Sequence, residues 1–181
     1  MKKITSVFVL LLAIITISSC SSSSDSNNEP AFILSNTNIV GSYAITNLNI
    51  STDITTTSNG FPIKVATATT EGDLFKLNLE LAANGTYTMV GSYTILYKLD
   101  PVVGDSFEER DIIEDIDFAG TFSVNEADNT ITFSGGLLPN LSGTLEVKNF
   151  NEDSFSLYQE IEVPVNSNVE EVTTYITFER I

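Results

Sequence analysis

The chain has 181 residues, with 8 Lys and Arg against 24 Asp and Glu, a formal charge of −16, no His, no Trp and one Cys. Without His there is no Ser-His or Cys-His nucleophile pair and no imidazole metal ligand, and a single Cys forms neither an internal disulfide nor a thiolate zinc cage. So acidic a chain is also a poor partner for nucleic-acid phosphates.

Lys2 and Lys3 precede the apolar run from Val7 to Ile15, and Ser18, Ser19 and Cys20 follow. The run is shorter than the roughly 18 apolar residues a spanning helix needs, so residues 1–19 are predicted to be a cleaved secretory signal peptide. Ile17-Ser18-Ser19-Cys20 resembles the bacterial lipobox, in which the Cys is acylated and becomes the first residue of the mature protein. The resemblance implies a membrane anchor at Cys20, and several acyl chains hold stably because each buried methylene contributes about 0.8 kcal/mol. An exported chain otherwise has little reason to keep one unpaired thiol. Loss of Lys2 and Lys3 leaves six basic against 24 acidic residues, a mature charge of −18. Ser21, rather than Asp, after the Cys points to the outer membrane.

Residues 20–35 are expected to be the acylated Cys and a flexible tether, of which Ser21 to Pro30 is polar and of low complexity. Ten such residues give a reach of roughly 15 to 20 Å. A surface-export signal is an alternative reading of the same stretch. Residues 36–181 are expected to be one domain.

Helical periodicity is absent from that domain, and period-two alternation predicts about nine antiparallel strands: 39–50, 62–69, 75–81, 86–99, 117–125, 129–134, 141–149, 154–161 and 171–180. Asn84-Gly85 is predicted to form a type I′ hairpin turn. Asp128-Asn129 and Asn151-Glu152-Asp153 mark further tight connections. Between strands, the acidic segment 105–117, with Asp105, Glu108, Glu109, Asp111, Glu114, Asp115 and Asp117, is expected to be a solvated hairpin loop. It lacks the spacing and the Gly turn of a calcium loop. Two of the carboxylates about 5 to 9.5 Å apart would serve a glycosidase, but no pair stands out and no Trp offers a sugar platform. There is also no Gly-x-Ser-x-Gly elbow.

A unit of Gly, a small polar residue, a large apolar one, any residue and an apolar one recurs at Gly41, Gly85, Gly91, Gly120 and Gly143. It suits a strongly coiled sheet or barrel better than a flat sandwich. Gly41-Ser42-Tyr43 resembles the Gly-x-Trp of lipocalins with Tyr for Trp, and Arg180 sits where many lipocalins place an Arg across that ring. Asn84-Gly85-Thr86-Tyr87 is similar to a turn and strand of lipocalin-like lipoproteins. The resemblance implies an all-β, antiparallel up-and-down β-barrel of about eight strands, closed at one end and open at the other to a small apolar ligand. Tyr87, Met89, Tyr93, Ile95 and Tyr97 share one strand face, and Tyr87, Met89, Tyr93, Phe122 and Phe133 are the candidate ligand contacts, with ordinary core packing as the competing assignment.

The sequence thus leads to the expectation of a monomeric, non-catalytic lipoprotein of the outer membrane. It is expected to need no cofactor or metal, to touch the membrane through Cys20 and to bind a small apolar molecule. The alternative is a surface module with a solid barrel that contacts an envelope protein or polysaccharide.

Overall fold

The structure, a computed structural model, describes residues 32–138, 141–165 and 168–181. The expected signal peptide, Cys20 and the stretch from Ser21 to Pro30 lie outside the described residues. Eight strands run β1 Gly41–Ser58, β2 Phe61–Leu81, β3 Thr86–Pro101, β4 Phe107–Asn125, β5 Thr130–Leu138, β6 Leu141–Lys148, β7 Ser154–Val165 and β8 Asn168–Arg180. Each pairs antiparallel with the next, and β8 returns to β1 to close an up-and-down barrel.

Two of the nine expected strands are one. Residues 62–69 and 75–81 both belong to β2, interrupted by an irregularity between Asp73 and Lys76 where Leu74 takes a φ of 48°. The extra residue shifts the side-chain alternation, so Ala66, Ala68 and Thr70 face the same way as Phe75, Leu77 and Leu79. The acidic segment is also corrected: from Phe107 onward it is β4, paired in register with β3 from Leu99↔Phe107 to Tyr93↔Ile113. Only residues 102–106 form the connection.

Two hairpins show how local chemistry sets the ends. Asn59 and Gly60, with φ of 52° and 83°, make the two-residue turn between Ser58 and Phe61. At Asn84-Gly85 only Gly85 has positive φ, and its N–H donates to the Ala82 carbonyl at 2.9 Å. That is a three-residue type I loop ending in a left-handed Gly, in place of the type I′ turn expected.

The barrel has two tiers. In the lower tier all eight strands close around Tyr43, Leu79, Tyr87, Met89, Ile131, Phe133, Leu157 and Phe178, each at most 2% exposed. Above it the β4–β5 ladder stops at Phe122↔Phe133 and the β6–β7 ladder at Glu146↔Tyr158, while β3–β4 and β7–β8 pair on to Leu99↔Phe107 and Val165↔Asn168. The upper tier is therefore a six-stranded wall in the order β7-β8-β1-β2-β3-β4, with a notch over the short β5–β6 hairpin.

The lower end is sealed. Phe32 stacks on Phe150 with centroids 5.1 Å apart, Phe155 stacks on Phe178 at 4.9 Å, and Leu34 and Ile39 are buried. The compact unit that holds this end of the barrel runs from Phe32 to Ile181.

Burial raises the pKa of Tyr43, Tyr87 and Tyr93 above the ordinary 10.0; at Tyr43 the Arg180 charge and hydrogen bond partly offset that effect. A raised folded-state pKa means stability that is fully present below about 10 and is lost as pH rises through the folded values. Melting temperature is expected to fall above about pH 10, with Tyr93→Phe making that fall shallower.

Candidate functional site

Register with the buried positions fixes which side chains face inward in the upper wall. From β1 these are Ile50, Thr52 and Ile54, and from β2 Ala66, Ala68, Thr70 and Gly72. β3 contributes Tyr93, Ile95, Tyr97 and Leu99, and β4 contributes Phe107, Glu109, Asp111 and Ile113. Glu170, Val172 and Thr174 follow from β8, and Gln159, Ile161 and Val163 from β7. The face is apolar and aromatic at its base and gains carboxylates towards its mouth.

The five expected ligand contacts sit lower. Tyr87, Met89 and Phe133 are at most 2% exposed, Tyr93 is 6% and Phe122 is 7%, and all five belong to one hydrophobic cluster. Tyr87 and Phe133 pack edge to face at 4.9 Å, and the Tyr87 hydroxyl donates to the Gly136 carbonyl. Tyr87, Met89, Phe122 and Phe133 are thus core that floors the upper tier. Tyr93 is different. Its ring stacks on Phe75 at 6.1 Å, and its hydroxyl makes no hydrogen bond with the described residues. No fully enclosed side-chain polar atom among the described residues lacks a partner, so that hydroxyl is reached by solvent. The Thr174 hydroxyl, on a residue 5% exposed, is in the same position.

At the sealed end the Arg180 guanidinium lies 5.0 Å from the Tyr43 ring centroid and donates to the Tyr43 hydroxyl at 2.7 Å. It also donates to the carbonyls of Val40, Asn38 and Glu152 at 2.9, 3.0 and 2.9 Å. The Tyr43 hydroxyl in turn donates to the Ile39 carbonyl at 2.9 Å. Gly41 is required by close approach, since a Cβ there would lie 2.6 Å from Arg180 Nη1. This group is a structural plug.

At the notch, Phe118, Gly136, Leu138 and Leu141 border an open depression of about 400 Å³. β5 bends away there, with Gly136 at a φ of 81° and the Ala119 carbonyl oxygen 2.5 Å from where a Gly135 Cβ would stand. Exposed apolar side chains crown the mouth: Phe61 at 71%, Val102 at 65% and Val103 at 90%. Among the described residues no three His, Cys, Asp or Glu side chains converge to hold a metal ion.

Ile50, Ala68 and Leu99 are wall residues that the sequence did not single out, whereas Ile95 and Tyr97 were expected to line the pocket with Tyr93. The shared face of Tyr93, Ile95 and Tyr97 was the available signal. Comparison of the chain with family models, curated proteins and solved structures finds no match.

Proposed function

We propose that the chain is a lipid-anchored, lipocalin-like envelope protein that binds or carries a small apolar ligand on the inner face of its upper wall. The observation that carries this reading is the separation of a filled floor from an open wall whose inward side chains include Ile50, Ala68, Tyr97 and Leu99. Ligand sites of this type combine an apolar surface with a few placed polar groups, and the free hydroxyls of Tyr93 and Thr174 supply them. Acylation at Cys20 would hold the protein at the outer membrane. The chain enters the barrel at its sealed end, through Phe32.

Two experiments test this. Cys20→Ala is expected to move the protein from the membrane to the soluble fraction, and membrane retention of that variant removes the anchor from the account. The soluble Cys20→Ala chain, titrated with the neutral fluorophore N-phenyl-1-naphthylamine, is expected to bind one equivalent saturably. Linear, unsaturable fluorescence would favour the second reading. That reading, a surface module contacting an envelope protein or polysaccharide, draws on the exposed Phe61, Val102 and Val103 at the hairpin tips.

A further inference from the structure

All six basic residues of the described chain avoid the upper wall's inner face. Lys64, Lys98 and Arg110 lie on its outer side, bridged to Asp53, Asp100 and Asp73 at 2.7, 2.8 and 3.5 Å. Lys76 and Lys148 alternate with the inward Leu77 and Val147, which places them outside as well, with Lys148 paired to Glu146. Arg180 is spent in the plug at the sealed end.

The inner face, by contrast, carries three carboxylates among the described side chains. Glu109 and Asp111 stand opposite Tyr97 and Ile95, and Glu170 stands opposite Ile54 on the other flank of the notch. None of the three forms an ion pair among the described residues. Tyr97 and Phe107 lie beside them with centroids 6.5 Å apart, offering ring faces of the kind that attract ammonium groups. Deeper in, Tyr93 is only 6% exposed, and its ring continues the apolar and aromatic lining below Ile95 and Tyr97.

We infer that the preferred occupant is a cationic amphiphile, with its apolar chain against Ile50, Ala68 and Leu99 and its ammonium head at the mouth between Glu109, Asp111 and Glu170. The inference rests on the proposed ligand-binding reading and adds the sign of the ligand's charge. A carboxylate-headed chain of equal length would bring its charge against three like charges with no basic group to receive it, and is disfavoured.

The test uses the Cys20→Ala chain, with N-phenyl-1-naphthylamine bound and displaced by dodecyltrimethylammonium, dodecanoate or tetramethylammonium below their micellar concentrations. At low salt the dodecylammonium ion is expected to displace the probe at about tenfold lower concentration than dodecanoate, and the preference is expected to shrink as salt screens it. Tetramethylammonium, a head without a chain, is expected to displace nothing. Glu109→Gln with Asp111→Asn and Glu170→Gln should bring the two amphiphiles to within about threefold of each other. The outward-facing set Glu108→Gln, Glu162→Gln and Glu171→Gln changes net charge equally and should leave the preference intact. Equal or tighter displacement by dodecanoate overturns the inference while leaving ligand binding standing. So does a preference erased equally by the outward set, or displacement by tetramethylammonium alone. A probe that never saturates overturns the ligand-binding reading itself.

Discussion

Replacing Gly91 with Ala is expected to cost about 4 kcal/mol or more, enough to prevent most of the chain from folding at about 37 °C. Gly91 sits in β3 where floor passes into wall, paired with Leu77 on one side and Ile116 on the other. Its φ is 132°, and a Cβ there would stand 1.9 Å from the Lys76 carbonyl oxygen and 2.9 Å from its carbon. Both are backbone atoms of a paired strand, so no side-chain rotation relieves the clash. Gly143 provides the control. Its φ of 86° is equally unfavourable for L-residues, but nothing lies within 4 Å of its Cβ position, so Gly143→Ala is expected to cost only about 1 kcal/mol. Urea denaturation of the two variants should separate them; equal, small losses would mean that β2 and β3 do not approach at Gly91 as described.

Arg180→Ala is expected to cost about 3 kcal/mol and to lower the melting temperature by about 10 °C. One planar group here joins the end of β8, the Tyr43 hydroxyl and three carbonyls from segments that are distant in sequence. Truncation leaves partly buried acceptors without donors and removes the cation from the Tyr43 ring. Lys carries one compact charge in place of a fork, so Arg180→Lys should recover less than half of the loss. Full recovery by Lys would show that charge alone matters at the plug.

The sequence was most informative where one face of a strand is fully buried. In the lower tier Leu77, Leu79 and Leu81 alternate with polar residues, and that contrast marks strand and orientation together. The Gly-x-Tyr start and Arg180 were also legible, because a ring, a guanidinium and a Gly at close approach form a compact local pattern. The upper tier was harder to read for a physical reason. Its β4 stretch from Phe107 to Ile112 is exposed throughout, so Glu108, Glu109, Arg110 and Asp111 show no apolar and polar alternation and resemble a loop. The Thr-rich ends of β1 and β2 hid the Asn59-Gly60 hairpin in the same way. The bulge after Asp73 disguised β2 as two strands by reversing its parity. For the candidate contacts, sequence placed Tyr87, Met89, Phe122 and Phe133 on the inward face but carried no sign of height along the barrel. Height is set by which ladders stop, and β5 leaves its ladder at a pair of glycines whose effect depends on contacts with Ala119 and Tyr87.

The placement of the proposed binding surface in the wall above that floor is tested most directly with a single fluorophore. The chain has no Trp, so Tyr97→Trp on the inward face of β3 introduces the only indole, and Tyr158→Trp on the outward face of β7 supplies a matched control. Titration of the Cys20→Ala, Tyr97→Trp chain with N-phenyl-1-naphthylamine is expected to quench the indole emission by energy transfer, saturating at one equivalent. Filling the wall's inner face with Thr70→Phe should weaken that response, and the Tyr158→Trp emission should respond less steeply. Unaltered emission from the Tyr97→Trp chain, or identical unsaturable quenching at both positions, would contradict a ligand site in the upper tier.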